Sequence, residues 1–151
     1  MKADELMIGD WVASKEKFTS HGLQMPRILG QITQITEDNR VEFAYRDRWQ
    51  NRVYISLKTD EVEPIPLTAD ILKDNGIELF AIGDNGAATP PKWRNRLEQW
   101  HIHTQWKDTN LWFDRLTKKY RIQDTNAIEI EFVHQLQQTL RLAKIEKEIV
   151  L

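Results

Sequence analysis

The clearest pattern of apolar and polar positions lies in the C-terminal block from Ala127 to Leu151. Apolar residues recur there first at every second position, then at every third or fourth, and finally at the shorter spacing again. A period of two is typical of a strand with one buried face, and a period of 3.6 is typical of an amphipathic helix. The block therefore predicts a strand, a helix with Val133, Leu136 and Leu140 on its buried face, and a closing strand over residues 147–151.

In the first 66 residues, apolar residues again recur at every second position. Apolar or alternating stretches predict four strands, over residues 6–12, 28–35, 41–45 and 53–57. Glu37, Asp38 and Asn39 connect two of these strands, and Asn and Asp tolerate the backbone of a tight hairpin turn. Because Pro64 and Pro66 lack the N–H group that strand pairing uses, we expect an antiparallel meander that ends near Pro66.

A smaller domain is predicted after this boundary. Thr68 is suited to cap a short helix over residues 69–75, and Gly76 stands where a left-handed residue ends a helix. Four further strands are predicted, over residues 77–82, 97–106, 111–116 and 120–123. The predicted fold class is therefore α+β, with an SH3-like antiparallel β-barrel over residues 1–66 and an antiparallel sheet with two helices over residues 67–151.

Composition and charge limit the classes of function. Hydrophobic residues make up 40% of the chain and charged residues 29%, which is typical of a folded protein. The formal net charge is −2, so the molecule lacks the overall positive field of a general nucleic-acid coating protein, and such binding would require a local patch. The chain contains no cysteine, which excludes disulfides, thiolate metal sites and a thiol nucleophile.

The start of the chain and its hydropathy indicate an intracellular protein without a membrane segment. The opening residues carry charges and a Gly-Asp pair where a secretory signal requires an unbroken apolar stretch, and no eighteen apolar residues run together. We therefore expect a cytoplasmic protein.

The first candidate site is a predicted hairpin turn that carries Arg46, Arg48, Trp49 and Arg52. Guanidinium groups pair with phosphates and stack on bases, and an indole offers a stacking face that tolerates any base. This combination is suited to a single-stranded nucleic acid. The alternative is a solvated loop in which Trp49 folds back over the barrel and the arginines pair with Asp47 or nearby glutamates.

The second candidate site repeats this chemistry at Trp93, Arg94 and Arg96, which follow a Gly- and Pro-rich stretch. If the two groups converge, they form one positive, aromatic surface. The alternative is that Pro90 and Pro91 end the loop and that Trp93 packs against its base.

A third candidate is the pair His101 and His103, which lie two residues apart and share one face of a predicted strand. Two imidazoles can ligate a metal such as zinc, but a site requires further ligands, and the alternative is an ordinary polar sheet face. The chain contains no glycine-rich phosphate loop and no nucleophile elbow, and we interpret His134 as a structural residue. We therefore predict no cofactor and a protein that is not an enzyme, with a metal-dependent hydrolase as the alternative.

Several segments resemble a known family. These segments are Glu5 to Val12, Ile65 to Leu72 with Asn75-Gly76, and Phe132 to Gln137. They resemble a family of small uncharacterised proteins from Bacteroidetes genomes and from the phages and mobile elements of those genomes. The resemblance implies an accessory protein of such an element and brings no activity, cofactor or site residue with it. The stretch Ile8 to Val12 also resembles the first strand of SH3-like barrels, which implies binding of peptides or nucleic acid rather than catalysis.

Together these observations predict a non-enzymatic binding protein. Its contact surface is expected at Arg46, Arg48, Trp49, Arg52, Trp93, Arg94 and Arg96. The partner is either a nucleic acid or a protein, including a second copy of the chain.

Overall fold

The computed structural model describes residues 5–15, 18–20, 23–80, 97–104, 109–122 and 128–151. In this part of the chain, antiparallel sheets and two α-helices confirm the predicted α+β class. The chain groups into two compact units by its internal contacts. One contains the described residues up to Pro66 with residues 132–134 and 151, and the other contains those of 67–131 and 135–150. The division into two independently folding domains stays a prediction.

The first unit is built on a five-stranded antiparallel sheet. Its strands are β1 (Trp11–Ser14), β4 (Leu29–Ile35), β5 (Arg40–Arg46), β6 (Arg52–Lys58) and β7 (Val62–Glu63), in the order β6-β5-β4-β1-β7. A separate short hairpin, β2 (Phe18–Ser20) with β3 (Leu23–Met25), lies in sequence between β1 and β4. The sheet is curled into a half-barrel, as expected of a barrel-like first part, while the specific SH3 likeness stays a prediction.

One face of this sheet forms a hydrophobic core, because its strands alternate as the sequence predicts. Val12, Ile32, Val41, Phe43 and Leu57 are buried on this inner face. Residues at the intervening positions of β4, β5 and β6 lie on the opposite face, which is called the outer face below. The outer face carries the candidate site.

Gly30 allows β4 and β5 to approach closely. A Cβ at this position would lie 2.5 Å from Cδ2 of Phe43 and 2.6 Å from the carbonyl oxygen of Ala44. Only glycine fits there without displacing the fully buried Phe43.

The predicted strands at 28–35, 41–45 and 53–57 are confirmed with small changes at their ends. The strand predicted over residues 6–12 is wrong for residues 6–10, because β1 begins only at Trp11. Met7 and Asp10 form a turn before it, with the Met7 N–H donating to Asp10 Oδ2 at 2.9 Å, and Gly9 has a φ of 87°. This turn uses the backbone groups that strand pairing would require.

The second unit contains a four-stranded antiparallel sheet and most of the helical residues. Its strands are β8 (Glu78–Phe80), β9 (Leu97–Ile102), β10 (Thr109–Asp114) and β11 (Lys119–Ile122), in the order β11-β10-β9-β8. Trp100 and Ile102 are buried on one face of β9, as predicted. The helices are α1 (Ala69–Asp74) and α2 (Val133–Leu142).

The helix ends follow the predicted local chemistry. The Thr68 side chain accepts a hydrogen bond from the Ile71 N–H at 3.2 Å, and Gly76 has a φ of 65° directly after α1. Lys144 has a φ of 54° after α2, and the Ile145 N–H donates to the Leu140 carbonyl at 2.9 Å. Both helices therefore end in a left-handed residue.

Two predicted strands at the C-terminus are wrong. Just before α2, Ile130 forms an isolated bridge with Tyr120, and Phe132 forms one with Pro66. These alternating residues therefore pair with different segments and build no continuous strand. The segment over residues 147–151 is not a strand either. Instead, the backbone of Val150 exchanges two hydrogen bonds with the side chain of Asn75, at 2.7 and 2.9 Å.

Candidate nucleic-acid interface at the β5–β6 hairpin

A five-residue turn, residues 47–51, connects β5 to β6 and carries the central part of the predicted site. The Asp47 N–H donates to the Asn51 carbonyl at 3.0 Å, and the Gln50 N–H donates to the Asp47 carbonyl at 2.9 Å. Gln50 adopts the left-handed conformation, with a φ of 67°. The backbone of the turn is therefore held by its own hydrogen bonds.

The Asp47 carboxylate organises this turn. Its Oδ1 accepts hydrogen bonds from the Trp49 N–H at 2.8 Å and the Asn51 N–H at 2.9 Å, and its Oδ2 accepts one from the Asn51 side-chain amide at 3.2 Å. Desolvation acts to raise the pKa of Asp47, but the hydrogen bonds from Asn51 and Trp49 outweigh it and lower the pKa. The carboxylate thus accepts hydrogen bonds within the turn and forms no ion pair with the arginines of the hairpin.

Trp49 projects from the turn. It is 66% exposed and therefore does not fold back over the barrel, which was the alternative interpretation. The guanidinium carbon of Arg48 lies 3.9 Å from the centroid of the indole ring, a cation–π contact. The turn therefore presents a large aromatic surface with a positive charge stacked beside it.

Arg46 and Arg52 lie opposite each other at the end of the β5–β6 ladder, on the outer face. Arg46 Nη1 donates to the Gln50 carbonyl at 3.2 Å, and the Arg52 guanidinium carbon lies 5.4 Å from the centroid of the Tyr54 ring. The side chain of Tyr54 is 52% exposed. Among the described residues, no carboxylate forms an ion pair with Arg46, Arg48 or Arg52.

A cavity of about 160 Å³ opens beside this arginine pair. It is lined by Gln31, Ala44, Tyr45, Arg46 and Arg52. Gln31 of β4 pairs with Ala44 of β5, and Ala44 in turn pairs with Tyr54 of β6, so the small alanine lies between two longer side chains. Sequence reasoning missed Gln31, Ala44 and Tyr54, because the strand register that brings them together is not contained in the hydrophobic pattern.

A second hairpin repeats the turn chemistry without the exposed indole. Asp114 accepts a hydrogen bond from the Leu116 N–H at 2.9 Å, as Asp47 does from Trp49, and Lys118 adopts the left-handed conformation there. Counted from the aspartate, Arg115 and Leu116 correspond to Arg48 and Trp49, although Asp114 is the last residue of β10 and this turn has four residues, 115–118, in place of five. Unlike Arg48, Arg115 forms an ion pair, with Glu98 at 2.6 Å. This hairpin supplies matched control positions for experiments.

The other predicted contact residues, Trp93, Arg94 and Arg96, lie outside the described residues. Their convergence with the β5–β6 hairpin stays a prediction.

The two histidines of the metal hypothesis lie close together. The ring centroids of His101 and His103 are 5.7 Å apart, and the Gln99 side-chain amide lies 3.1 Å from His101 Nε2. Within the described ranges, no group of three or more His, Cys, Asp or Glu side chains is placed to hold a metal ion.

His134 is buried in the first unit, with its ring stacked on Phe132 at a centroid distance of 5.9 Å. Burial lowers the pKa of this histidine, and the nearby charges of Asp10 and Glu5 oppose that effect only in part. His134 is therefore held in its neutral form, in keeping with a structural role.

Of the helices in the described ranges, neither has the length and apolar character that crossing a bilayer requires. No protein family, curated protein or solved structure matches the chain.

Proposed function

We propose that this protein is a non-enzymatic binding protein that binds single-stranded nucleic acid through the β5–β6 hairpin. The observation that carries the proposal is the exposure of Trp49 beside arginines that no described carboxylate neutralises. Residues 46–52 contain three arginines and one aspartate, and that aspartate is occupied by the turn. The hairpin is therefore a local positive patch on a slightly acidic chain.

The exposed rings favour a single strand over a duplex. The flat face of a base is free for stacking on an indole only when the base is unpaired, and such stacking contributes about 1–3 kcal/mol per base. The arginines supply contacts to the phosphates, which carry no sequence information. We expect binding with little sequence preference.

The sequence extends this proposal. Trp93, Arg94 and Arg96 are proposed to enlarge the surface, and the family resemblance supports the proposal of an intracellular accessory protein from a phage or mobile element. A protein partner is the competing outcome, which the binding experiment separates from nucleic acid.

Fluorescence anisotropy of a labelled oligothymidylate of about 20 nucleotides tests the proposal, with salt varied between about 50 and 200 mM. Two to three phosphate contacts predict a slope of about −1.4 to −2 in a plot of log affinity against log salt concentration. Arg48→Ala is expected to flatten the slope by about 0.7. Arg115→Ala is the matched control and should leave it unchanged, since Arg115 is paired with Glu98.

Absence of binding at low salt, or an equal effect of the two substitutions, would contradict the proposal. A stable complex with another protein in the absence of any affinity for the oligonucleotide would favour the protein partner instead.

A further inference from the structure

We infer that the cavity on the outer face of the sheet is a phosphate site, in which Arg46 and Arg52 together hold one phosphodiester group of the bound strand. The inference rests on the proposed function and adds a path for the strand, which leaves the turn and crosses β6, β5 and β4. Of the residues that line the cavity, Gln31 of β4 lies beyond the β5–β6 hairpin, while Ala44 and Tyr45 belong to β5.

Arg46 and Arg52 form a pair of like charges that no described carboxylate neutralises. Arg46 and Arg52 are direct cross-strand neighbours, and like charges in that position destabilise a sheet. Another pair of cations, Arg40 and Lys58, ends the same ladder at its other end. There, Arg40 donates to both the hydroxyl and the carbonyl oxygen of Ser56, at 3.1 and 2.9 Å. Arg52 makes no such hydrogen bond, so its guanidinium N–H groups are available to a ligand.

The cavity beside these arginines has the size and the donors that a phosphate group requires. Its volume of about 160 Å³ is more than ten times the roughly 10–15 Å³ that one water molecule requires on the same measure, which is enough room for a phosphate group. Ala44 leaves this space open, because a longer side chain at that position would rise between Gln31 and Tyr54. Two guanidinium groups at the cavity wall offer the planar, forked donors that suit phosphate oxygens.

Polar and aromatic side chains surround the cavity on the outer face of the sheet. Glu42, two residues before Ala44 on the same face, accepts a hydrogen bond from the Thr33 hydroxyl at 3.0 Å. Tyr54 follows Arg52 on this face at the strand period of two, and its ring is half exposed. A phosphate between the arginines therefore places a neighbouring base within reach of the Tyr54 ring.

A matched pair of isosteric substitutions tests the site. Gln31→Glu puts a carboxylate on the cavity wall, while Gln34→Glu makes the same change of charge on β4, on the outer face but away from the cavity. We expect Gln31→Glu to weaken oligothymidylate binding by about tenfold or more, because its charge repels the phosphate and pairs with the arginines. Gln34→Glu should have a much smaller effect. Equal effects would overturn the inference.

The arginines supply an independent readout. If they hold one phosphate, Arg46→Ala and Arg52→Ala each flatten the salt slope by about 0.7, and the double variant flattens it no further. Additive changes would show two separate phosphate contacts and overturn the inference. Circular dichroism of each variant verifies folding, and since these side chains are exposed, we expect native spectra.

Binding by the wild-type chain distinguishes a failure of the phosphate site from a failure of the proposed function. If the wild-type chain binds and Arg48→Ala weakens it, but neither the glutamine pair nor the arginine series behaves as described, only the phosphate site is wrong. If the wild-type chain does not bind, the proposed function is wrong and the phosphate site falls with it.

Discussion

Arg46 and Arg52 face each other across the last pair of the β5–β6 ladder, with no described carboxylate to neutralise either of them. Two like charges in this position oppose folding. Their presence beside an open cavity and two exposed aromatic rings is explained if the charges serve a bound anion.

Arg52→Glu should stabilise the free protein while it weakens binding. The substitution replaces a repulsive cross-strand pair by an attractive one, and the gain is about 0.2–1 kcal/mol in the free energy of unfolding. Arg40→Glu also creates an opposite-charge pair, with Lys58, but it loses the hydrogen bonds to Ser56 and should give no comparable gain. Urea unfolding at low salt measures both. A loss of stability in Arg52→Glu would contradict the interpretation.

Trp49→Ala should lower the affinity for oligothymidylate by about fivefold to 150-fold, which corresponds to the loss of one stacked base. The unfolding midpoint should barely change, because the side chain is exposed. Leu116→Ala removes an exposed side chain from the second hairpin, where Leu116 is 73% exposed and follows Asp114 by two residues as Trp49 follows Asp47, and should leave the affinity unaltered. An unchanged affinity in Trp49→Ala would show that the indole takes no part in binding.

Asp47→Ala should weaken binding although it removes a negative charge from a positive surface. Simple electrostatics predicts tighter binding, whereas the structure predicts a loosened turn, because three N–H groups lose their acceptor. Asp114→Ala in the second hairpin is the control. Tighter binding by Asp47→Ala would mean that the turn conformation is unimportant.

The lowered pKa of Asp47 also sets how this turn responds to pH. The ordinary pKa is 3.8, and a folded-state pKa below it means that the contribution of the carboxylate is complete above that value. It is lost as the pH falls through the lower, folded-state pKa. Turn amide signals in nuclear magnetic resonance spectra should therefore persist through mildly acidic pH.

His134 should make the stability of the first unit depend on pH. Its pKa in the folded protein lies below the ordinary value of 6.5, so protonation favours the unfolded chain. The free energy of unfolding should be greatest above pH 6.5 and should fall as the pH falls from there through the folded-state pKa. His134→Gln should lose much of this dependence, as measured by urea unfolding at several pH values. A profile identical to that of the wild type would rule out His134 as its source.

Gly30→Ala should destabilise the first unit by about 1–3 kcal/mol, since the added methyl group meets the buried Phe43 ring and the Ala44 backbone. Gly76→Ala should cost about 1 kcal/mol for a different reason, its positive φ, because no atom lies closer than 3.8 Å to its added Cβ. Urea unfolding of the two variants measures both losses. A loss well below about 1 kcal/mol in Gly30→Ala would argue against the close contact at Gly30.

Local signals explain why part of the fold was predictable from the sequence. The caps at Thr68 and Gly76 and the turn at Asn39, whose φ is 59°, depend on neighbouring residues alone. The strand predicted over residues 147–151 failed because alternation does not say which partner takes the backbone hydrogen bonds. There, the side chain of Asn75 takes those of Val150.

The candidate site also combines residues that the sequence indicates with residues that only the fold brings together. Arg46, Arg48, Trp49 and Arg52 are close in sequence, and their chemistry was readable without a fold. Gln31 and Ala44 join them only through the pairing of β4 with β5, whose register shifts between Ile32 and Gln34. Such a shift leaves no signal in the spacing of apolar residues, so the cavity could not have been predicted.

Photocrosslinking of an oligonucleotide that carries 5-iodouracil, followed by peptide mapping, shows whether the β5–β6 hairpin contacts a bound strand. We expect crosslinks at Trp49 or Tyr54, and we expect unlabelled oligothymidylate or high salt to suppress them. Crosslinks that fall only elsewhere in the chain, or none at all under conditions where the oligonucleotide is bound, would contradict binding through this hairpin.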